Sequence, residues 1–167
     1  KQAREDVLTG LPNRRAFEAL LTRSVTEAKA SQNPLSLAFC DIDNFKTVND
    51  RHGHEVGDRV LKFVAKLLSE ISNDKCHVAR HGGEEFVMLF ENITAEKAYE
   101  MVDEARRSLA SRRLAAKDSG EPLGQITFSA GVAQLTVDDA KGRDMLRRAD
   151  EALYRAKRAG RDQVIIA

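Results

Sequence analysis

The sequence predicts an α/β sandwich, a mixed central β-sheet flanked by helices. Three observations carry that prediction. Short apolar runs of strand length are interspersed with longer segments whose apolar residues recur every three or four positions. Two of the strand-like runs are consecutive, joined only by a glycine turn. No internal repeat, low-complexity tract or Pro/Gly-rich linker divides the 167 residues, which include only three prolines. The order read is helix, strand, helix, hairpin, helix, strand, helix, strand, which is not the regular alternation of a doubly wound fold.

Each element follows from its residues. "TGLPNRRAF" is a turn, because Gly10, Pro12 and Asn13 punctuate it. A helix follows, with Phe17, Leu20, Leu21, Val25 and Ala28 on one face. "PLSLAFCDID" reads as a buried strand over 35–41 that ends in acids. The polar, glycine-marked "DNFKTVNDRHGHEVGD" holds a short helix over 45–49, and Asp58 is placed as the cap of the next helix. That helix carries the stripe Val60, Leu61, Val64, Leu67, Leu68 and Ile71. Residues 76–80 and 86–90 form the hairpin. From about Ala95 a helix turns Ala98, Met101, Val102, Ala105 and Leu109 inward. "QITFSAGVAQL" is a strand with Gly131 marking a bulge. The last helix buries Met145, Leu146, Ala149, Ala152, Leu153 and Ala156, ends at Gly160 as its cap, and leads into the strand "QVIIA".

With 42% hydrophobic and 32% charged residues, the chain is expected to be one soluble globular domain, 1–167, with a sizeable core. No run has the length and apolarity of a membrane span or the pattern of a signal peptide. The charged start "KQAREDVLTG" has no Met and reads as a domain cut from a longer protein. A net charge of +1 argues against a general nucleic-acid binder. Between 141 and 161, however, eight Lys or Arg face three acids, which reads as a solvated helix face. Cys40 and Cys76 lie in strand-like runs without metal or redox spacing, and are expected to be reduced, buried thiols of a cytoplasmic domain.

The chemistry centres on "FCDIDNFK" and "VARHGGEEFVMLF". Asp41 and Asp43 end the first strand; the reading sends them to opposite faces, with Asp43 capping a helix. If that strand neighbours the hairpin, Asp41, Glu84 and Glu85 converge, and crowded carboxylates need a cation. Hard oxygen donors suit Mg²⁺, which leaves positions for water and phosphate. A surface hairpin with glutamates facing water is the alternative, and both stand. The backbone at Asn44 and Phe45, with Lys46, could cradle phosphate oxygens. Lys157 and Arg161, four apart, could clamp a triphosphate or only stabilise a helix C-terminus. Asn49 and Asp58 have the donors and acceptors to read a guanine edge, unless Asp58 is only a cap. His52, His54 and His81 are read as structural or surface groups.

Together these segments resemble the GGDEF domain family, the diguanylate cyclases. "GGEEF" at 82–86 resembles its signature. "DVLTGLPNRRAF", "DIDNFKTVNDRHGHEVGDRVL", "ITFSAGVA" and "ADEALYRAKRAGRDQV" resemble further blocks in the family's order, over almost the whole chain. The resemblance implies a ferredoxin-like core similar to the palm of polymerases and class III cyclases, and condensation of two GTP into cyclic di-GMP with loss of two pyrophosphates. It also implies a face-to-face encounter of two copies, a regulatory module N-terminal to this domain, and no nucleic-acid or membrane contact.

By position, Asp41, the carbonyl of Ile42 and Glu84 would hold Mg²⁺ or Mn²⁺. Glu84 would help deprotonate the ribose 3′-OH, and Glu85 would be a further carboxylate there. Asn49 and Asp58 would read guanine. Asn44, Phe45, Lys46, Lys157 and Arg161 would bind phosphates, and Lys46 would also stabilise transition-state charge. The family's inhibitory R-x-x-D motif falls here on Asn73 and Cys76, which implies no feedback through that site. A silent GTP- or product-binding module and a cyclase acting on ATP are the rival readings.

Overall fold

The computed structural model describes residues 3–167; Lys1 and Gln2, which open the charged start, lie outside the described residues. The elements are α1 (Arg14–Ser31), β1 (Leu35–Ile42), α2 (Phe45–His52), α3 (His54–Ser69), β2 (Cys76–Gly82), β3 (Glu85–Glu91), α4 (Ala95–Ala110), β4 (Phe128–Gln134), α5 (Gly142–Arg158) and β5 (Val164–Ile166). The sheet order is β2-β3-β1-β4-β5. The first four strands pair antiparallel and β5 joins β4 in parallel. β1 through β4, with α2–α3 and α4 between them, make the βαββαβ unit of a ferredoxin-like core. The expected α/β sandwich is what the chain forms.

Both faces of the sheet are covered, which is why the strands read as unbroken apolar runs. Alternation sorts their side chains. Leu35, Leu37, Phe39, Val87 and Leu89 pack with Phe17, Leu21 and Val25 of α1 and Met145, Ala149 and Leu153 of α5. Ala38, Cys40, Ile42, Phe86, Met88 and Phe90 pack with Val60, Val64 and Leu68 of α3 and Val102 and Leu109 of α4. Both cysteines are buried and free, as expected. Burial pushes the Cys40 thiol far above its ordinary value and Cys76 to about 11, so neither is a ready nucleophile.

Two local expectations are corrected. Asp58 does not cap α3; the helix starts at His54 behind Gly53, whose φ of 91° suits glycine, and Asp58 lies within it. A two-helix corner made from polar residues left no apolar stripe to date its start. Gly131 is no bulge, since β4 runs in unbroken register along β1. Its missing side chain serves packing: a Cβ there would collide with the α5 backbone at Ala149 and Leu153 and with the Ala152 side chain. The expected cap at Gly160 does form. Its N–H donates to Lys157 and the N–H of Arg161 donates to Ala156, the two bonds of a Schellman turn. No helix among the described residues is long and apolar enough to cross a membrane.

Because backbone, not a flexible side chain, meets a residue-131 side chain, Gly131→Val is expected to cost about 3 kcal/mol or more of stability. Urea unfolding of the variant checks this; an unchanged midpoint would show that α5 can lift off β4.

Candidate active site

The carboxyl end of β1 gathers the acids. Asp41 pairs with Glu85 on one side and Ser129 on the other, and the Ile42 N–H donates to the Glu84 carbonyl at 3.2 Å. Strand period places residues two apart on one face. Asp41 and Asp43 therefore both project toward α5, where Lys157 Nζ lies 3.0 Å from Asp41 Oδ1 and 3.4 Å from Asp43 Oδ1. The expectation of opposite faces is overturned by that simple alternation. So is the capping role of Asp43: α2 is capped at Asn44, without a side-chain bond. Asp43 is 4% exposed and accepts from Thr127 Oγ1 and Ser129 Oγ, both at 2.7 Å, and from the Asp162 N–H at 3.1 Å.

The hairpin tip is braced from behind. Gly83 sits at φ 51°, a conformation that disfavours a side chain. Its carbonyl accepts from Arg80 Nε at 3.1 Å and Nη2 at 2.7 Å, while Arg80 Nη1 reaches both Asp6 oxygens at 3.1 Å. Burial works against the charge of Asp6, but bonds from Thr9 and Arg80 outweigh it and hold the carboxyl below its ordinary value. Sequence reasoning passed over Arg80 and Asp6. Their signal was an arginine two residues before the glycines and an Asp-x-x-Thr turn near the start of the chain.

Electrostatically the acidic end is unfinished. Asp41 is raised above its ordinary value, chiefly by burial; Lys157 opposes this and the neighbouring Glu84 and Asp43 add to it. Glu85 is raised too, by burial and then by Asp41, Asp150 and Glu84. Among the described residues no three His, Cys, Asp or Glu side chains close on one point as a complete metal cage. Asp41, Ile42 and Glu84 meet at one strand end, a donor set that suits an ion taking one or two carboxylates and filling its sphere from elsewhere.

The remaining residues flank this point. Asn44 turns the chain at φ 54° so that α2 starts directly after β1. The first N–H groups of that helix have no acceptor within it. Phe45 is buried beneath them, and Lys46 is exposed and pairs with Asp50 at 2.9 Å, which favours its ammonium form. The Asn49 side chain lies over Gly57, where a Cβ would strike its amide, next to exposed Asp58 on α3. Gly57 is thus a further residue missed from sequence, a glycine inside a helix that seats a neighbour's amide. Lys157 is on α5, but Arg161 is not: α5 ends at Arg158, and Arg161 follows at φ 65° in the turn beyond. The four-residue spacing that sets the two on a helix face or in its last turn becomes a helix end and the turn that caps it. Asn73 and Cys76 form a tight turn, with Asn73 Oδ1 accepting from Cys76 N at 2.9 Å and Cys76 fully buried.

Comparison with known proteins agrees with this fold. The family described as diguanylate cyclase, GGDEF domain, matches residues 3–163. The diguanylate cyclase DgcP of Pseudomonas aeruginosa is 42% identical over the whole chain, and a diguanylate cyclase of Vibrio cholerae is 40% identical over 98% of it. The chain spans 24% of the length of the first relative and 50% of the second. The crystallised GGDEF domain of DgcB from Caulobacter crescentus, in complex with c-di-GMP, superposes with a TM-score of 0.96 at 38% identity, covering 99% of this chain and 94% of that one. The active GGEEF domain of a Vibrio cholerae diguanylate cyclase gives 0.84 at 39% identity, covering 92% and 96%. The chain belongs to the GGDEF domain family.

The raised carboxyls carry a pH signature. A carboxyl whose folded pKa lies above its unfolded one binds more protons when folded, so its contribution to stability falls as pH rises through that interval. In chelator, Glu85→Gln should therefore gain stability relative to the parent chain between about pH 4 and pH 7, by less than about 1 kcal/mol, because solvent screens a partly exposed group. Urea midpoints across that range measure it. A pH-independent difference would mean that Glu85 is not under charge strain.

Proposed function

We propose that the chain is a diguanylate cyclase domain, which binds one GTP and, opposite a second copy carrying another, forms cyclic di-GMP. The supporting observation is the meeting of Asp41, Ile42 and the Glu84–Glu85 tip at one strand end, with the Lys157 ammonium directly against it. Asp41, the Ile42 carbonyl and Glu84 would hold Mg²⁺ or Mn²⁺. Such an ion lowers the pKa of a ribose hydroxyl and offsets phosphate charge.

The chain's own groups do the rest. Glu84 takes the proton of the attacking 3′-OH. The 3′ oxygen forms a bond to the α-phosphorus of the facing GTP, and the bond to the β-phosphate oxygen breaks, releasing pyrophosphate. Two such steps close the ring. Glu85 would be a further carboxylate beside the ion. Asp58 accepts from the guanine N1–H and amino group, while Asn49, seated on Gly57, offers a donor and an acceptor. The N–H groups at Asn44 and Phe45, with Lys46, Lys157 and Arg161, hold the phosphates. Lys46 also offsets charge as the α-phosphorus is attacked. Lys157 has two duties: against Asp41 and Asp43 it balances carboxylate charge, and with nucleotide present it turns to phosphate.

Asn73 and Cys76 stand where the R-x-x-D pair would be. The turn they form, with residue 76 buried, favours an enzyme without feedback through that site. Product can still occupy the Asn49–Asp58 pocket, since each half of it is a guanylate. The intact acids and Lys46 favour an enzyme over a silent binding module, and the Asn49–Asp58 pair favours GTP over ATP. A regulatory module elsewhere in the parent protein would set how often two copies meet, on the cytoplasmic side where GTP is available.

Purified chain at high concentration, given GTP and Mg²⁺, should form cyclic di-GMP. Glu84→Ala should abolish turnover with the fold intact by circular dichroism, and full activity in that variant contradicts the assignment of Glu84. Asp58→Ala should weaken GTP binding by roughly tenfold or more, the scale of a hydrogen-bonded charge, without matching loss of metal affinity. Calorimetry with GTP, ATP and cyclic di-GMP checks this, and undiminished product binding in Asp58→Ala would place the product elsewhere.

A further inference from the structure

Three successive residues after α5 have positive φ: Gly160 at 119°, Arg161 at 65° and Asp162 at 48°. Glycine adopts such a state freely, but for Arg161 and Asp162 it is unfavourable and persists only where surrounding contacts impose it. Those contacts come from two directions. From the sheet, Asp43 Oδ2 and Ser129 Oγ each accept from the Asp162 N–H at 3.1 Å. From α4, Arg106 Nη1 donates to the Asp162 carbonyl at 3.2 Å and to its Oδ1 at 2.8 Å. Arg106 is itself fixed by Asp103, 2.7 Å from its Nε, and the Arg106 side chain is 17% exposed. Burial alone would disfavour its charge, but Asp103 and Asp162 together hold it firmly cationic.

We propose that Arg106 and Asp43 are positioning residues for the phosphate clamp: by gripping Asp162 from both sides they hold Arg161 in its left-handed turn and so fix the direction in which its guanidinium leaves the chain. Neither residue is required to touch nucleotide. Asp43 serves the clamp twice, because the same carboxylate that receives the Asp162 N–H also receives Lys157. Arg106 lies in a helix to which the sequence assigns packing alone, yet its mostly buried guanidinium reaches Asp162. The inference rests on Arg161 binding phosphate, as proposed above.

Calorimetry of the whole chain with GTP and with GMP, which keeps the guanine but lacks the two outer phosphates, tests it. Arg161→Ala is the reference and should weaken GTP about tenfold or more, with GMP changed less than about twofold. Arg106→Gln should reproduce that split, weakening GTP by roughly three- to tenfold, and the double variant should bind GTP no more weakly than Arg161→Ala alone. Asp162→Asn, which keeps the acceptor for Arg106 and tolerates positive φ, should stay within about twofold of the parent, whereas Asp162→Val should behave like Arg106→Gln. Equal weakening of GTP and GMP by Arg106→Gln, or full additivity with Arg161→Ala, overturns the positioning role and leaves the clamp standing. An Arg161→Ala chain that binds GTP normally overturns the clamp itself, and this inference with it. Should Arg106→Gln not fold, the Asn and Val pair at 162 decides alone: equal GTP affinities for the two would contradict the inference.

Discussion

Two carboxylates at the end of a buried strand must be balanced by positive charge, and the rest of the site is organised around how that is done. Asp41 and Asp43 are set on one face of β1 by strand alternation, and that face is covered by α5. Lys157 balances both. Its ammonium is a flexible, single-point charge that can be exchanged, unlike a guanidinium fork locked into two parallel bonds. An ion bound by Asp41 and Glu84 would take over part of that balance and leave Lys157 for phosphate. Metal and triphosphate would then support each other's binding, since each relieves a charge the other leaves exposed.

The sheet makes this arrangement rigid. β1 is central, with β3 on one side and β4 on the other, so the hairpin tip and the Ser129–Thr127 hydroxyls reach its end by register alone. Gly131 lets α5 lie against β4, which brings Lys157 close enough to reach the acids. Arg80 ties the tip carbonyl to Asp6 near the start of the chain. The parts proposed to handle nucleotide, by contrast, sit at turns and helix ends: Asn44, the α2–α3 corner and the turn after α5. Rigid strands thus supply the charge and loops supply the reach, a common division in enzymes.

Much of the fold was legible because burial on both faces leaves a plain record. The stripes of α1, α3, α4 and α5 and the strand runs read directly from apolar spacing. The start of α3 was not legible, since the α2–α3 corner is polar and capped by glycine rather than by Asp58. Gly131 misled because an isolated strand glycine signals either a bulge or a close neighbour, and only the packed helix distinguishes them. In the site, the meeting of Asp41 with the hairpin acids is legible from the sequence, but the cap read for Asp43 needs no partners from far away. Its actual partners, Thr127, Ser129 and Asp162, are more than eighty residues distant, and Arg106 reaches Asp162 across a gap of 56. Long-range polar networks have no period and leave no local mark. The end of the last helix at Gly160 is legible from its glycine, but nothing in "RAGRD" reveals that positive φ continues through Arg161 and Asp162.

The proposed exchange of charge at the end of β1 can be tested directly. Crystals grown with Mn²⁺ and a non-hydrolysable GTP analogue, examined by the metal's anomalous scattering, would locate the ion. One Mn²⁺ peak is expected between the Asp41 and Glu84 carboxylates, touching phosphate oxygens, with the Lys157 ammonium moved from Asp41 onto the triphosphate. A nucleotide-bound structure with Lys157 still paired to Asp41 and no metal peak at that strand end would contradict it.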